Sequence, residues 1–320
     1  PAAPAAAVPA PPSEAALPEL DAHFDRVVRL VEDGRLNFFL GAAIHYPSVM
    51  KADQFYRELA RIFDCEALGE ERYAVAQYIV DRFGREELYK EIRKLFARTR
   101  LAPRATHEMF AAWGRYRTPD GKPVPFPVVI TTNYDDVLER RLADAGLPFH
   151  LLSYQADGPD RGLFYHLPPE GSLRVIERPR NVQPFSDAFV VVKLNGGFNP
   201  HDGIPESYAT TRLDYWDLAA RIPHVLPAPI QRALSADPIL FLGHGLAAQD
   251  IESLVRFAHR GYPGPRSWAI VLRDHGTEYW RQCGVEILQH DVNAYVGELW
   301  RRLAGNGSTA GVAPDAPAMP

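Results

Sequence analysis

Six short apolar runs, each closed by small or polar residues, constrain this chain more than any other feature of its sequence. They are Leu36–Ala43 (LNFFLGAA), Phe126–Thr132 (FPVVITT), Ala188–Leu194 (AFVVVKL), Pro238–Leu242 (PILFL), Ser267–Leu272 (SWAIVL) and Val285–Leu288 (VEIL). A run that is apolar on both alternating faces and bounded by turn signals suits a strand buried on both sides of a parallel sheet. Helical stretches sit between several of the runs. That alternation predicts an α/β fold built on a parallel sheet.

A first helix is readable in Leu20–Asp33, with Gly34 as its stop. The segment from Asp53 to Tyr116 reads as helices only: Phe55, Leu59, Ile62 and Phe63, then Tyr73–Phe83, then Glu86–Phe96. Helices without a strand, placed between the first two strands, predict an inserted helical subdomain over about 50–117. A hairpin-like excursion, Leu163–Glu177 around Pro168–Gly171, precedes the third strand. The 29 prolines cluster at the ends and in loops. Residues 1–18 and 305–320 read as Ala/Pro- and Gly-rich linker, leaving one ordered domain over 19–304 and suggesting a module tethered to something longer.

The net charge of −5 argues against a phosphate backbone as the main partner, because nucleic-acid binders concentrate basic side chains on one face. The only two cysteines, Cys65 and Cys283, lie far apart without CxxC spacing, so neither a disulfide framework nor a zinc ribbon is built from them. Two reduced core thiols in a cytoplasmic protein is the expectation, with no metal. No apolar run approaches the roughly 20 residues that cross a bilayer. No Ser-His-Asp, HExxH or Walker A arrangement stands out.

Four strand-end elements carry the chemistry. Gly41-Ala42-Ala43 follows the first strand, where small residues let backbone N–H groups approach a ligand's phosphates or simply make a turn. Thr131-Thr132-Asn133-Tyr134-Asp135 ends the second, at the edge where α/β proteins bind ligands; Asn133 or Asp135 capping a helix near Asp136 is the plainer alternative. Val190–Phe198 (VVVKLNGGF) runs a buried strand into a glycine pair. Phe241–Asp250 (FLGHGLAAQD) runs strand into turn, with a helix expected from Asp250.

In this order, GAxx, TTNYD, KLxG and FLGxxLxxxD resemble the sirtuin family, and among its members the bacterial sirtuin-like branch of anti-phage defence effectors. The resemblance spans roughly Leu36 to Leu299. It implies a Rossmann-like doubly wound parallel sheet with a helical subdomain over the crevice, and NAD as substrate or ligand without metal. The family reaction breaks the bond between nicotinamide and the ribose C1′. By the same resemblance Asn133 positions the nucleophilic water and ribose, and Asp135 lies near the nicotinamide end. Gly41 and Ala42 match the phosphate-cradling pair and Gly243 the glycine that approaches the ribose or adenine half; Ala43, His45, Thr132, Gly196 and His244 are further cofactor-binding candidates.

Three positions depart from the family pattern. The histidine of KLHG is Asn195, which cannot accept a proton near neutral pH, so general-base help worth about 10²- to 10⁴-fold is lost at that position. Asn195 still hydrogen-bonds a ribose hydroxyl, so binding is expected to outlast turnover. Ala43 replaces the second glycine of GAG, either crowding a pyrophosphate or only shifting it. His45 stands where a small or hydroxyl residue is usual, and two readings are open: a phosphate-facing cation or a solvent-facing loop residue. Ala248 replaces an aspartate, and His201 or His244 are candidate surrogates for the lost base. A single introduced change at Asn195 leaves Ala43 and His45 unexplained, which favours natural divergence.

Trp113, Trp216, Trp268, Trp280 and Trp300 read as core packing, as does Asp214-Tyr215-Trp216 on a helix beside the site. The charged helices of Glu70–Arg100 read as a solvated face or a self-association surface. Three functions follow: an NAD+ glycohydrolase releasing nicotinamide and ADP-ribose, a non-catalytic NAD+ or ADP-ribose binding module, or an interaction domain. A protein partner or homo-oligomer is expected, with neither nucleic acid nor membrane.

Overall fold

The computed structural model describes residues 17–48, 52–68, 71–99, 101–185, 187–198, 203–244, 267–272 and 278–305. His201, Ala248, the helix expected from Asp250 and most of both tails lie outside these residues.

Helix α1 (Leu17–Glu32) lays Phe24, Val27, Val28 and Val31 on the core. It stops at Gly34, whose φ of +65° favours a residue without Cβ. Strand β1 (Asn37–Leu40) follows, then helices α2 (Ala52–Ile62), α3 (Arg72–Phe83), α4 (Arg85–Thr99) and α5 (Ala105–Ala111). Next come β2 (Val128–Thr131), α6 (Val137–Asp144), β3 (Phe149–Tyr154), β4 (Phe164–Leu167), β5 (Arg174–Ile176) and β6 (Phe189–Lys193). A small hairpin of β7 (Gly196–Gly197) and β8 (Ser207–Tyr208) precedes α7 (Arg212–Val225) and α8 (Ala228–Ala236). The chain closes with β9 (Ile239–Leu242), β10 (Ser267–Val271), α9 (Glu278–Gln282), β11 (Val285–Gln289) and α10 (Val292–Gly305).

Nine strands form one sheet in the order β11-β10-β9-β1-β2-β6-β3-β4-β5. Neighbours from β11 to β3 are parallel, while β4 and β5 form an antiparallel edge. The fold is therefore α/β with a mostly parallel central sheet, Rossmann-like in that parallel strands flank β1 on both sides. All six expected strands are present. β3 was not among them, and the expected excursion is the β4–β5 hairpin that pairs with it.

Both faces of the sheet are covered, and alternate residues divide between two cores. Phe38, Leu40, Val129, Val191, Leu240 and Leu242 meet α1, α5, α6 and α10. Phe39, Ile130, Val190, Val192, Ile239 and Phe241 meet α7 and α8. Phe38 and Phe39 are both fully buried on opposite faces. Each contributes about 2–3 kcal/mol of hydrophobic stabilisation, which accounts for the unbroken apolar texture of the run.

The helical segment 50–117 divides. Helices α2, α3 and α4 build their own core around Leu59, Ile79, Leu88 and Ile92, closed by Tyr208. Helix α5 does not belong to it: Met109, Phe110 and the following Trp113 pack into the main core. The subdomain is pinned to the sheet domain by Arg85, whose guanidinium donates to both oxygens of the buried Asp214 at 3.0 and 2.9 Å. Trp113, Trp268 and Trp280 are buried as expected, but Trp216 is 58% exposed on α7 and is not a core residue. Of the two thiols, Cys65 is buried and Cys283 partly so. No described helix is long and apolar enough to cross a membrane.

Candidate functional site

One register row crosses the carboxyl ends of five parallel strands: Leu242, Leu40, Thr131, Lys193 and Ser153. The described residues that close each strand-end element lie just beyond this row, on the edge where open α/β sheets bind ligands. From β1 the chain moves to β2 on one side, and from β9 it moves to β10 on the other, so the topological switch point lies between β1 and β9.

At the switch point the backbones nearly touch. A Cβ on Gly41 would lie 2.6 Å from the Gly243 carbonyl oxygen, and one on Gly243 (φ +70°) 2.6 Å from the Ile44 nitrogen. Both positions thus need glycine for internal packing alone. The Gly41 amide donates to the Leu242 carbonyl and the Ala43 amide to the Gly243 carbonyl, at 2.9 and 3.0 Å. Ala42 is exposed and Ala43 half-buried on the short 3-10 turn Ala42–His45. Thr132, half-buried, donates its amide to the Leu40 carbonyl. His244 packs edge-on against Phe39, and burial pulls its pKa down to about 4.

His45 is 1% exposed, which removes the solvent-facing reading. Its Nε2 lies 3.1 Å from Asp135 Oδ2. That is an ion-pair distance, although the ring sits off the line of a directed hydrogen bond and its Nδ1 has no protein partner. Asp135 divides its carboxylate: Oδ2 faces His45, and Oδ1 accepts the amide of Val137, the first residue of α6, at 3.1 Å. Burial alone would raise the Asp135 pKa, but contact with His45 and the charge of Lys193 outweigh it. The carboxyl is held well below the usual range. Asn133 donates its side-chain amide to the Gly41 carbonyl at 3.3 Å, tying the β2 end to the β1 end.

Lys193 is completely buried beneath this loop. Its ammonium donates to the Asp135 carbonyl and to Glu139 Oε1, the latter at 2.7 Å. Burial pushes the Glu139 carboxyl up while Lys193 opposes the shift. Gly197 keeps the space open: a Cβ there would meet Lys193 Cε at 2.6 Å.

Asn195 is 4% exposed. Its side-chain amide donates to the Tyr215 hydroxyl at 3.3 Å, and its Oδ1 has no protein partner. The Tyr215 hydroxyl lies 3.5 Å from that of Tyr134, which donates to the Ala209 carbonyl at 2.8 Å. Tyr73 from the subdomain packs against Tyr215 with ring centroids 4.3 Å apart and planes tilted by 50°. Two tyrosines thus bridge Asn195 to the Asn133–Asp135 loop under a subdomain roof. Gly196 makes the turn beyond Asn195: its φ is +68°, and a Cβ would lie 2.1 Å from the Ser207 carbonyl oxygen.

Several of these residues carried no sequence signal. Tyr215 reads as packing, and only its position beside Asn195 gives its hydroxyl a role. His107 on α5 is 1% exposed, 4.8 Å from His45 between ring centroids; burial brings its pKa down to about 4. Glu139 looks like an ordinary helical carboxylate until Lys193 is placed under it.

Buried polar atoms without protein partners normally face a ligand or water. Around the strand ends they include Asn195 Oδ1, Thr210 Oγ1, Ser153 Oγ and, beside Asp135, His45 Nδ1 and His107 Nε2, polar atoms that fit the hydroxyls of a sugar or water better than an apolar ligand. The turn donors are different, since the Gly41 and Ala43 amides are already used internally.

A family model described as a SIR2-like domain matches residues 127–288, about half of the chain. No curated protein sequence matches it. A solved structure described as "Structural Basis for the Mechanism and Regulation of Sir2 Enzymes" aligns over 88% of this chain and 96% of its own, at 12% identity and a TM-score of 0.43.

Proposed function

This chain belongs to the SIR2-like domain family, and from that premise we propose that its crevice binds NAD+ and cleaves the bond between nicotinamide and the ribose C1′. The products are nicotinamide and ADP-ribose. One observation carries the reading: the Asn195 side-chain oxygen is buried and unpartnered at the β6 end, on the strand next to Asn133. An unmet acceptor in such a place costs about 1–3 kcal/mol, an expense that a ribose hydroxyl relieves on binding.

In this reading Asn133 orients ribose and water, and Asn195 binds a ribose hydroxyl through Oδ1 while Tyr215 fixes its amide. Asp135 holds the nicotinamide end through its pairing with His45. Gly41, Ala42 and Ala43 bring the β1 turn close to the diphosphate, with Thr132 beside it. The backbone donors already spent on β9 mean that a diphosphate there takes part of its hydrogen bonding elsewhere. Gly196, Gly243 and His244 border the remaining ribose and adenine. The setting is a cytoplasmic bacterial anti-phage defence effector, acting with a protein partner or as a homo-oligomer.

Asn195 favours a second reading, a binding module without turnover, because an amide does not take the proton that the family's histidine takes. Incubating the protein with NAD+ and measuring nicotinamide separates the two. Release that Asn133→Ala abolishes supports the enzyme. Thermal stabilisation by NAD+ without release, in both the parent and Asn195→His, supports the module. Neither effect sinks both.

A further inference from the structure

A buried acid–imidazole pair that the sequence does not announce lies on the β1 turn. Asp135 is ionised, so the hydrogen of His45 belongs on Nε2, the nitrogen 3.1 Å from Oδ2. The Nδ1 lone pair is then left free, and it is buried without a protein partner. The second ring is fixed independently. His107 Nδ1 accepts the Arg104 amide at 3.0 Å, so a neutral His107 carries its hydrogen on Nε2, which is also buried and unpartnered. One imidazole offers a lone pair and the other an N–H, with ring centroids 4.8 Å apart and planes tilted by 37°. A single water needs such a complementary acceptor and donor.

We infer that His45, oriented by Asp135, is the general base of this site and takes over the proton that the family's histidine position no longer accepts. The inference rests on the NAD+ cleavage reading. His45 Nδ1 takes a proton from water as the water oxygen bonds to C1′. The C1′–nitrogen bond breaks, and its electron pair stays on the nicotinamide ring nitrogen, which loses its positive charge. The imidazolium left on His45 is balanced by Asp135, and its proton passes to solvent. Asp135 is here a positioning residue, with its second oxygen anchored on α6. The off-line geometry between His45 and Asp135 suits a free enzyme, in which catalytic hydrogen bonds tighten only around substrate. His107 orients the water and does not change its own charge.

The charged and titratable groups facing His45 are Asp135 on the β2–α6 loop, with Lys193 and Glu139 behind it, and His107 and Arg104 at α5. Among them His107 is a weakened base, since burial brings its pKa down to about 4.

The test compares the parent, His45→Gln and His107→Phe for nicotinamide release, NAD+ affinity and thermal unfolding, with kcat followed over pH. The expected outcome is a fall of about 10²- to 10⁴-fold in kcat for His45→Gln, with NAD+ affinity kept. The acid limb of the parent's pH profile should vanish with it, and imidazole added to His45→Gly should restore part of the rate. His107→Phe should lose less. Release by the parent that His45→Gln leaves unchanged would overturn the base assignment and spare the NAD+ reading. Binding by the parent without release overturns it too. If NAD+ does not bind at all, the proposed function fails first. Should His45→Gln unfold early, the imidazole arm decides: no rescue of a folded His45→Gly rejects the proposal.

Discussion

Replacing Lys193 with methionine tests whether the ion pair under the site is as buried as its geometry requires. Methionine keeps most of the side-chain volume, so the change removes charge more than packing. The Lys193 and Glu139 side chains are 0% and 6% exposed. Breaking a buried pair from one side costs about 3–5 kcal/mol. The Asp135 carbonyl also loses its donor, adding about 0.5–1.5 kcal/mol. Lys193→Met should therefore lose roughly 4–6 kcal/mol in urea unfolding at pH 7. Lys193→Met/Glu139→Leu removes both charges and should recover most of it, leaving a deficit of about 1–2 kcal/mol. The pH dependence has a definite sign. Burial already raises the Glu139 carboxyl, and Lys193 is what restrains it. Without Lys193 the folded state favours the protonated acid, whose stabilising effect is present at low pH and lost as pH rises. The single variant should thus close part of its gap to the parent between pH 8 and pH 5. A single-variant loss below about 1 kcal/mol, or a double variant as unstable as the single, would refute the reasoning.

Gly196→Ala sets a Cβ at 2.1 Å from the Ser207 carbonyl at a φ of +68°, and should cost about 2–5 kcal/mol and displace the β7–β8 hairpin; a urea midpoint equal to the parent's would contradict it. Arg85→Met leaves the buried Asp214 with only the Thr210 and Thr211 amides and the edge of the subdomain unpinned. A loss of about 2–4 kcal/mol is expected, together with faster amide exchange in α2–α4, and unchanged exchange would speak against the pin. His23, His107 and His166 each have a pKa brought down to about 4, chiefly by burial. Depressed histidines stabilise the fold above the unfolded value of 6.5, and that contribution drains away as pH falls toward 4. Thermal unfolding should therefore move to lower temperature across that window, beginning above the range where carboxylates protonate; a flat profile from pH 6.5 to 4 would rule it out.

How far the sequence could be read depends on how local each signal is. β1, β6, β9 and β10 are buried on both faces and β2 nearly so, so their apolar runs are self-evident; β11, at the sheet edge, is only partly buried. β3 was missed because His150 and Ser153 interrupt its apolar texture, and its parallel partner β6 lies after it in the chain. α5 was assigned to the subdomain because amphipathic spacing shows that a helix has a buried face without showing what covers it. At the site, the small and polar residue types beyond the strands are legible, since backbone sterics and solvation demand them there. The pairings are not. Asp135 with His45, Asn195 with Tyr215 and Lys193 with Glu139 all depend on sheet register and helix rotation. His45 lay open between phosphate and solvent in the sequence, whereas the fold turns it onto a carboxylate.

The place of β1 at the middle of the sheet also has a consequence for synthesis. It leaves the ribosome before the other strands of this sheet, and one of its two partners, β9, is encoded far downstream: Phe38 pairs with Leu240. Until that stretch emerges, a largely apolar strand carries an open row of amide and carbonyl groups toward whatever lies nearby. Such exposed edges invite pairing with the wrong neighbour. α10 arrives later still to close Phe24 of α1 against Tyr295. Translational pauses before residue 239 should therefore leave more aggregated product than pauses after it.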